Sequence, residues 1–281
     1  MPGSNARAIE KARQLSADCV ILDLEDSVAP DAKEAARDAV CAAVRAGGFG
    51  RREVVIRVNG LDTPWGHDDL LAAAEAAPDA VLVPKVSDQD MVAAATLVLA
   101  TERAPERVRV WAMVETPLAV LKIESIAASA RLKTSRLSCF VMGTNDLAKE
   151  TRARFVPGRW TMLPWLATAL AAARAHGLDI LDGVYNDLAD PAGFRAECEQ
   201  GRDLGLDGKT LIHPNQVEVA NEVFAPDTAE VEAARRIIAA FERPENAGRG
   251  VISLDGRMVE RLHSEMAART VALANAIEGA K

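Results

Sequence analysis

Only 4% of the 281 residues are aromatic. Alanine is abundant, so the core open to this chain is one of small and aliphatic side chains, suited to helices laid closely on a sheet. Cysteine is scarce and scattered. Cys19, Cys41, Cys139 and Cys198 lie far apart with no Cys-x-x-Cys pair, which argues against a zinc knuckle or a disulfide framework and leaves buried thiols in a reducing compartment as the expectation. Positive charge is in deficit, the formal net charge being -8. A nucleic-acid backbone needs a basic surface, so nucleic acid is not an expected partner, whereas a small anion gripped by a few focused cations is. No apolar run approaches the roughly 20 residues that cross a bilayer, and the first residues lack the layout of a secretion signal, so a cytoplasmic protein without a membrane partner is expected. His67, His176 and His263 have no metal-ligand spacing.

What the chain does have is 49% hydrophobic residues, arranged in short runs that each end on a polar cluster. The runs end at Met1-Pro2-Gly3-Ser4, Asp23-Leu24-Glu25-Asp26, Arg57-Val58-Asn59, Pro84-Lys85, Glu115-Thr116-Pro117, Gly143-Thr144-Asn145-Asp146, Asp182-Gly183-Val184-Tyr185 and Ile212-His213-Pro214. Helix-like stretches separate them, such as the Ala-rich one from Pro30 to about Val44. Eight such β/α units predict an α/β fold, a TIM (β/α)8 barrel over residues 1–224, with residues 225–281 as a C-terminal helical extension. Because the chain opens where the first strand should already have ended, that strand is expected to be truncated. Pro244 to Gly250 reads as a linker and Gly256 to Ile277 as a terminal helical arm.

In such a barrel the strand ends converge on one mouth. Glu115 and Asp146 end adjacent strands, so two carboxylates meet there with room for waters, a donor set suited to Mg2+. Asp23, Glu25 and Asp26 are placed to hold those waters. Arg57 offers a fork that matches a substrate carboxylate or a thioester oxygen, and a structural ion pair with Glu25 or Glu115 is compatible with that role. Lys85, among so many acids, is expected to be charged and paired. Gly3, Ser4 and Asn5 open a helix, a place that favours phosphate, with Arg7, Lys11 and Arg13 nearby. Ser4, Asn5 and Lys11, together with Pro117, are the candidate contacts to a phosphorylated ligand. His213 is open to roles as acid, ligand or hydrogen-bonding residue.

The pieces MPGSNARAIEKA, ILDLEDSVAPDAKEAAR, IRVNG, VPKV, VETP, GTNDL, DGVY and GKTLIHPNQ, in this order over almost the whole chain, resemble the citrate lyase beta-subunit-like (HpcH/HpaI aldolase/citrate lyase) family of CoA-ester lyases. The resemblance implies Mg2+ on Glu115 and Asp146, a substrate contact at Arg57, an acyl-CoA substrate and a homotrimer or hexamer. It also implies that the terminal arm covers a neighbouring subunit's mouth and brings an acid after a Gly-x-Met-Ile/Val sequence. Here Gly256-Arg257-Met258-Val259 leads to Glu260, where the relatives carry aspartate, and Asp255 is the reserve candidate. The reaction this implies is carbon-carbon cleavage of (3S)-malyl-CoA or citramalyl-CoA to acetyl-CoA and a 2-oxoacid, with Glu260 moving the proton. VMGTNDLAKE, DGVYNDL and AECEQGRDLGLDGKTLIHPNQ are most similar to a malyl-CoA thioesterase branch, so hydrolysis to malate and CoA is the alternative. A citrate lyase beta subunit, a free 2-oxoacid aldolase and an acyl-CoA binder without turnover are the others.

Overall fold

Seven of the apolar runs become parallel strands: β1 (Cys19–Asp23), β2 (Glu53–Arg57), β3 (Ala80–Val83), β4 (Arg109–Val114), β5 (Leu137–Met142), β6 (Asp179–Asp182) and β7 (Gly208–Lys209). They are hydrogen-bonded in chain order, each joined to the next through helix, as parallel strands require. This is a computed structural model that describes residues 1–280.

The strands lack apolar-polar alternation because both faces of the sheet are covered. Val20, Leu22, Ile56, Val81, Val83 and Phe140 pack outward among helix residues such as Leu70, Leu99 and Leu166. Val55, Leu82, Trp111, Cys139 and Val141 form a separate cluster on the other face, joined by Ile21, Met113 and Leu181. Side chains from β1 through β6 meet in that one cluster because the sheet is curled.

The hydrogen-bonded sheet thus has seven strands where a closed eight-stranded barrel is the expectation. At one edge, residues 1–3 add a single parallel bridge, Pro2 to Asp23, with Asp23 N–H donating to Met1 O and Gly3 N–H to Asp23 O, both at 2.8 Å. At the other edge the strand expected over Lys209–Ile212 stops at Lys209. The reason is local: the Thr210 N–H makes the last ladder bond to the Asp182 carbonyl, joined by its hydroxyl, and beyond it the Gln216 amide oxygen takes the N–H groups of Ile212 and His213.

Register fixes what faces what at the strand ends. Asp23 lies opposite Arg57, and Asp182 opposite Lys209.

The chain divides after Ala220 into two compact units. In the second, a helix over Thr228–Glu242 opens on a capping box formed by Asp227 and Glu230. A hairpin follows, β8 (Val251–Leu254) antiparallel to β9 (Arg257–Glu260), and then a helix over Arg261–Ala280. Ala240, Phe241, Ile252 and Val259 make its core. The hairpin corrects the expectation of linker followed by helix from Gly256. Asp255 and Gly256 have φ of 51° and 76°, the left-handed pair a tight two-residue hairpin turn needs, and Asp-Gly is the sequence signal for it. No described helix is long and apolar enough to cross a membrane.

Candidate active site

The acidic loop after β1 is built on Asp23. Its carboxylate accepts the N–H of Glu25 at 2.9 Å, the N–H of Ser27 at 3.1 Å and the Ser27 hydroxyl at 2.5 Å. Across the ladder, Arg57 donates to both Asp23 oxygens, Nε to Oδ1 at 2.6 Å and Nη2 to Oδ2 at 2.7 Å. Burial alone raises the Asp23 carboxyl, but the Arg57 fork and the Ser27 and Glu25 donors outweigh it and hold the group well below the usual carboxylate range. Two of the three donor atoms of Arg57 are thereby committed to Asp23. The third, Nη1, points toward Glu25 Oε2 at 3.0 Å and Asp26 Oδ2 at 3.4 Å.

Lys85 sits just past β3 with φ of 51°, a conformation uncommon for a side chain of this size. That twist lets one residue serve two acids. Its backbone N–H reaches Glu115 Oε1 at 2.7 Å and its ammonium reaches Glu25 Oε1 at 2.5 Å. Lys85 is thus charged and paired.

Glu115, at the end of β4, is 1% exposed. Burial and then the neighbouring Glu25 carboxylate push its pKa up to about 7, with a further push from Asp146, against the Lys85 N–H. Asp146 lies in the first turn of the helix Thr144–Thr151 and is half-buried. Gly143, just before that helix, is where Glu115 needs space. A Cβ there would lie 2.3 Å from Glu115 Cβ and 2.6 Å from its Oε2. Gly143→Ala is therefore expected to displace the Glu115 carboxylate and to lower kcat by about 10- to 100-fold, since an ångström of misplacement costs on that order. Steady-state kinetics on the folded variant check this, and an unchanged kcat would count against Glu115 as a site residue.

Five carboxylates, Asp23, Glu25, Asp26, Glu115 and Asp146, are thus set against the two cations Arg57 and Lys85. The imbalance is felt at Glu115 and at Glu25, where burial raises the pKa and Arg57 and Lys85 only partly offset it. Glu25 Oε2 is also buried without a hydrogen bond. Two oxygen donors and excess negative charge, with a buried Glu25 oxygen that has an ion pair to Arg57 but no hydrogen bond, fit a hard divalent cation. Among the described residues no group of three or more His, Cys, Asp or Glu is gathered around one point, so protein ligation would come from a pair such as Glu115 and Asp146.

The other predicted residues make local contacts of their own in the first unit or lie in the second. Asn5 caps the helix Ala6–Ala12 by accepting the Ala8 N–H at 3.1 Å, and Ser4, Asn5 and Lys11 are all exposed. Gly3 ties this segment to Asp23. Pro117 starts the helix Pro117–Leu121, capped by Thr116. His213 is an exposed cap whose Nδ1 accepts the Asn215 N–H. Asp255 is the exposed hairpin turn, and Glu260, at the end of β9, gives its N–H to His263 Nδ1 at 2.9 Å.

Two buried networks escaped the sequence reading. Behind the β1 and β2 ends lie Lys33, Asn59 and Asp69, all buried. At the β6 and β7 ends Asp182 accepts from Arg159 at 2.7 Å and from Lys209 at 3.1 Å, and Lys209 also reaches Glu197 at 2.7 Å. The only signal for Lys33 is its position in the first turn of the helix Lys33–Ala46, where a cation opposes the helix dipole and so marks a specific partner. Nothing in the pattern marks Arg159 or Lys209.

A parallel α/β protein with an arginine-braced carboxylate cluster at its strand ends has the layout of an enzyme that handles anionic substrates with a divalent cation. The HpcH/HpaI aldolase/citrate lyase family matches residues 1–214, and the chain belongs to that family. It is 52% identical over 278 residues to a (3S)-malyl-CoA thioesterase of Cereibacter sphaeroides, covering 99% of this chain and 93% of the relative. An L-malyl-CoA/beta-methylmalyl-CoA lyase of the same species is 37% identical, covering 92% and 88%. Among solved structures, the protein CitE of Mycobacterium tuberculosis in complex with magnesium, acetoacetate and coenzyme A is similar with a TM-score of 0.78 and 29% identity, over 98% of this chain and 96% of that one. The nearer likeness to the thioesterase overturns the expectation of carbon-carbon cleavage as the main reaction.

Proposed function

We propose that the protein is a thioesterase that hydrolyses (3S)-malyl-CoA to malate and free CoA. The observation that carries this reading is the 52% identity to the thioesterase over 278 residues, 99% of the chain. The lyase relative shares the family but lies 15 percentage points further away (52 against 37). Spacing arguments on strand ends do not separate the two outcomes, because both need the same grip on the malyl group.

In this reading Glu115 and Asp146 would hold Mg2+, which when bound would supply positive charge for the substrate's oxygens. Glu25 and Asp26 would be the acids left to orient water beside it, while Asp23, expected to share that role, has its oxygens taken up by Arg57, Ser27 and the Glu25 N–H and instead braces Arg57. Arg57, fixed by Asp23, presents only its Nη1 edge to the substrate. Ser4, Asn5, Lys11 and Pro117 contact the CoA part. Water oxygen bonds to the thioester carbon, the carbon-sulfur bond breaks with its electron pair on sulfur, and the proton lost by water ends on the thiolate. Glu260, with Asp255 in reserve, is the group proposed to carry that proton. The accompanying fold reading is a (β/α)8 barrel in which the segment bridged to β1 at Pro2 stands at the place of the first strand. The assembly proposed is a cytoplasmic homotrimer or hexamer in which the extension over residues 225–281 covers a neighbour's site.

Purified protein incubated with Mg2+ and (3S)-malyl-CoA, with an EDTA control, is expected to yield free CoA and malate by liquid chromatography and mass spectrometry. Acetyl-CoA with glyoxylate as the dominant products would overturn the reading.

A further inference from the structure

Lys33 is a buried ammonium with no carboxylate among its hydrogen-bond partners. It is 6% exposed and donates to the Leu24 carbonyl at 3.0 Å, the Glu25 carbonyl at 2.8 Å and Asn59 Oδ1 at 2.6 Å. Those donations account for all three of its protons. Two consecutive carbonyls of the acidic loop are therefore turned onto one cation. Asn59 completes the clamp: its Nδ2 donates to the same Leu24 carbonyl at 2.9 Å and to Asp69 Oδ2 at 2.6 Å. Asp69 takes the Asn59 N–H as well, and is itself held by Arg37. The loop after β1 and the loop after β2 are thus tied together beneath the residues that carry the charge.

With the Leu24 and Glu25 carbonyls held on Lys33, the backbone from which the Glu25 side chain springs is fixed. Its carboxylate then lies between Lys85 Nζ and Arg57 Nη1, where its charge acts on Glu115. We infer that Lys33 is a positioning residue for the active site, setting the place of the Glu25 carboxylate through the Leu24–Glu25 backbone. This rests on the reading of the acidic cluster as the catalytic centre. It holds whichever bond of the substrate breaks.

The test compares Lys33→Met, Asn59→Ala and Cys41→Ala in the full chain. Cys41 is a buried core residue on the same helix as Lys33, so its variant reports the cost of disturbing that helix alone. Lys33→Met is expected to lower kcat for malyl-CoA by about 10- to 100-fold with KM within about threefold, as loss of an orienting partner does. Asn59→Ala, which leaves the ammonium in place, is expected to lose less. It also serves as the readout if Lys33→Met does not fold. Cys41→Ala is expected to keep both constants.

An unchanged kcat in folded Lys33→Met, or in Asn59→Ala where that is the readout, would overturn the proposal. So would an equal loss in Cys41→Ala. If the wild type does not turn over malyl-CoA, the reading under Proposed function fails by itself. The clamp is then tested by Mg2+ titration calorimetry on the same variants. About tenfold weaker binding in Lys33→Met than in wild type and Cys41→Ala supports it, and equal binding overturns it.

Discussion

Glu115→Gln is expected to make the metal-free protein more stable at pH 8 while lowering turnover of malyl-CoA by at least about a hundredfold. Glutamine is nearly isosteric and its amide oxygen can still accept the Lys85 N–H, so the change removes charge and little else. In the wild type, burial and the Glu25 and Asp146 carboxylates raise Glu115 from 4.5 to about 7. A raised folded pKa means that the folded chain binds the proton more tightly than the unfolded chain does. The stability this gives is full below pH 4.5 and is lost as pH rises through about 7. Above that the ionised Glu115 costs the metal-free protein up to about 3 kcal/mol, from 1.36 kcal/mol per pKa unit. The glutamine variant escapes this cost. Denaturant unfolding in EDTA should therefore show Glu115→Gln more stable than wild type at pH 8, with the gap closing at pH 5.5. Adding Mg2+ should stabilise the wild type and leave the variant unmoved, because a metal that binds only the folded state raises its stability by mass action. The activity figure follows from the cost of losing a group that merely orients a ligand, about 10- to 100-fold, which a direct ligand should match or exceed. A variant less stable than wild type at pH 8 in EDTA would show that Glu115 is not under electrostatic strain, and the fit of the cluster to a divalent cation would fall with it.

That expectation could be framed from sequence only in part. Glu115, Asp146 and Arg57 were legible because each follows a continuous apolar run, and a strand buried on both faces delivers its next polar residue to the strand-end side. Their pairing was less so. Arg57 is expected to face a substrate or to pair with Glu25 or Glu115, and the Glu25 pair is present; register also places it opposite Asp23, and that bidentate pair uses most of its fork. Arg159 and Lys209 could not be found at all, and Lys33 only through its place in a first helical turn, because a charged residue in a helical or turn stretch ordinarily faces water and the hydrophobic period carries no sign of a cation turned inward. The hairpin of β8 and β9 was missed for another reason. Each strand is four residues long, too short for alternation to stand out beside the helix that follows, although Asp255-Gly256 announced the turn. Hydrolysis against carbon-carbon cleavage lay beyond any of these signals, since both reactions draw on the same strand-end residues.

Arg57→Met is expected to cost about 3–5 kcal/mol of stability at pH 8, the usual penalty for stripping the partner from a buried ionised group. Asp23 is 6% exposed. With Arg57 gone, the largest opposition to its burial is lost, and the Ser27 and Glu25 donors remain. In the wild type the depressed Asp23 carboxyl contributes stability that is present above the ordinary carboxylate range and is lost only in strong acid, as pH falls through its folded value. In the variant the Ser27 and Glu25 donors remain and still favour the charged form, so Asp23 moves up from its depressed value and its stabilising contribution shrinks. The pH dependence between 5 and 8 comes from Glu25, which burial already raises and which keeps Lys85 as its single cation, so stability falls as pH increases. The deficit relative to wild type should therefore be largest at pH 8 and should shrink toward pH 5, as Glu25 takes up its proton. Arg57→Lys separates charge from geometry. A lysine keeps the positive charge but cannot bond both Asp23 oxygens while facing Glu25 with a third nitrogen, so it should recover part of the stability and little of the activity. Guanidinium unfolding of the three proteins at pH 5, 6.5 and 8 decides the matter. A deficit independent of pH would mean that Arg57 does not offset the charge of Glu25.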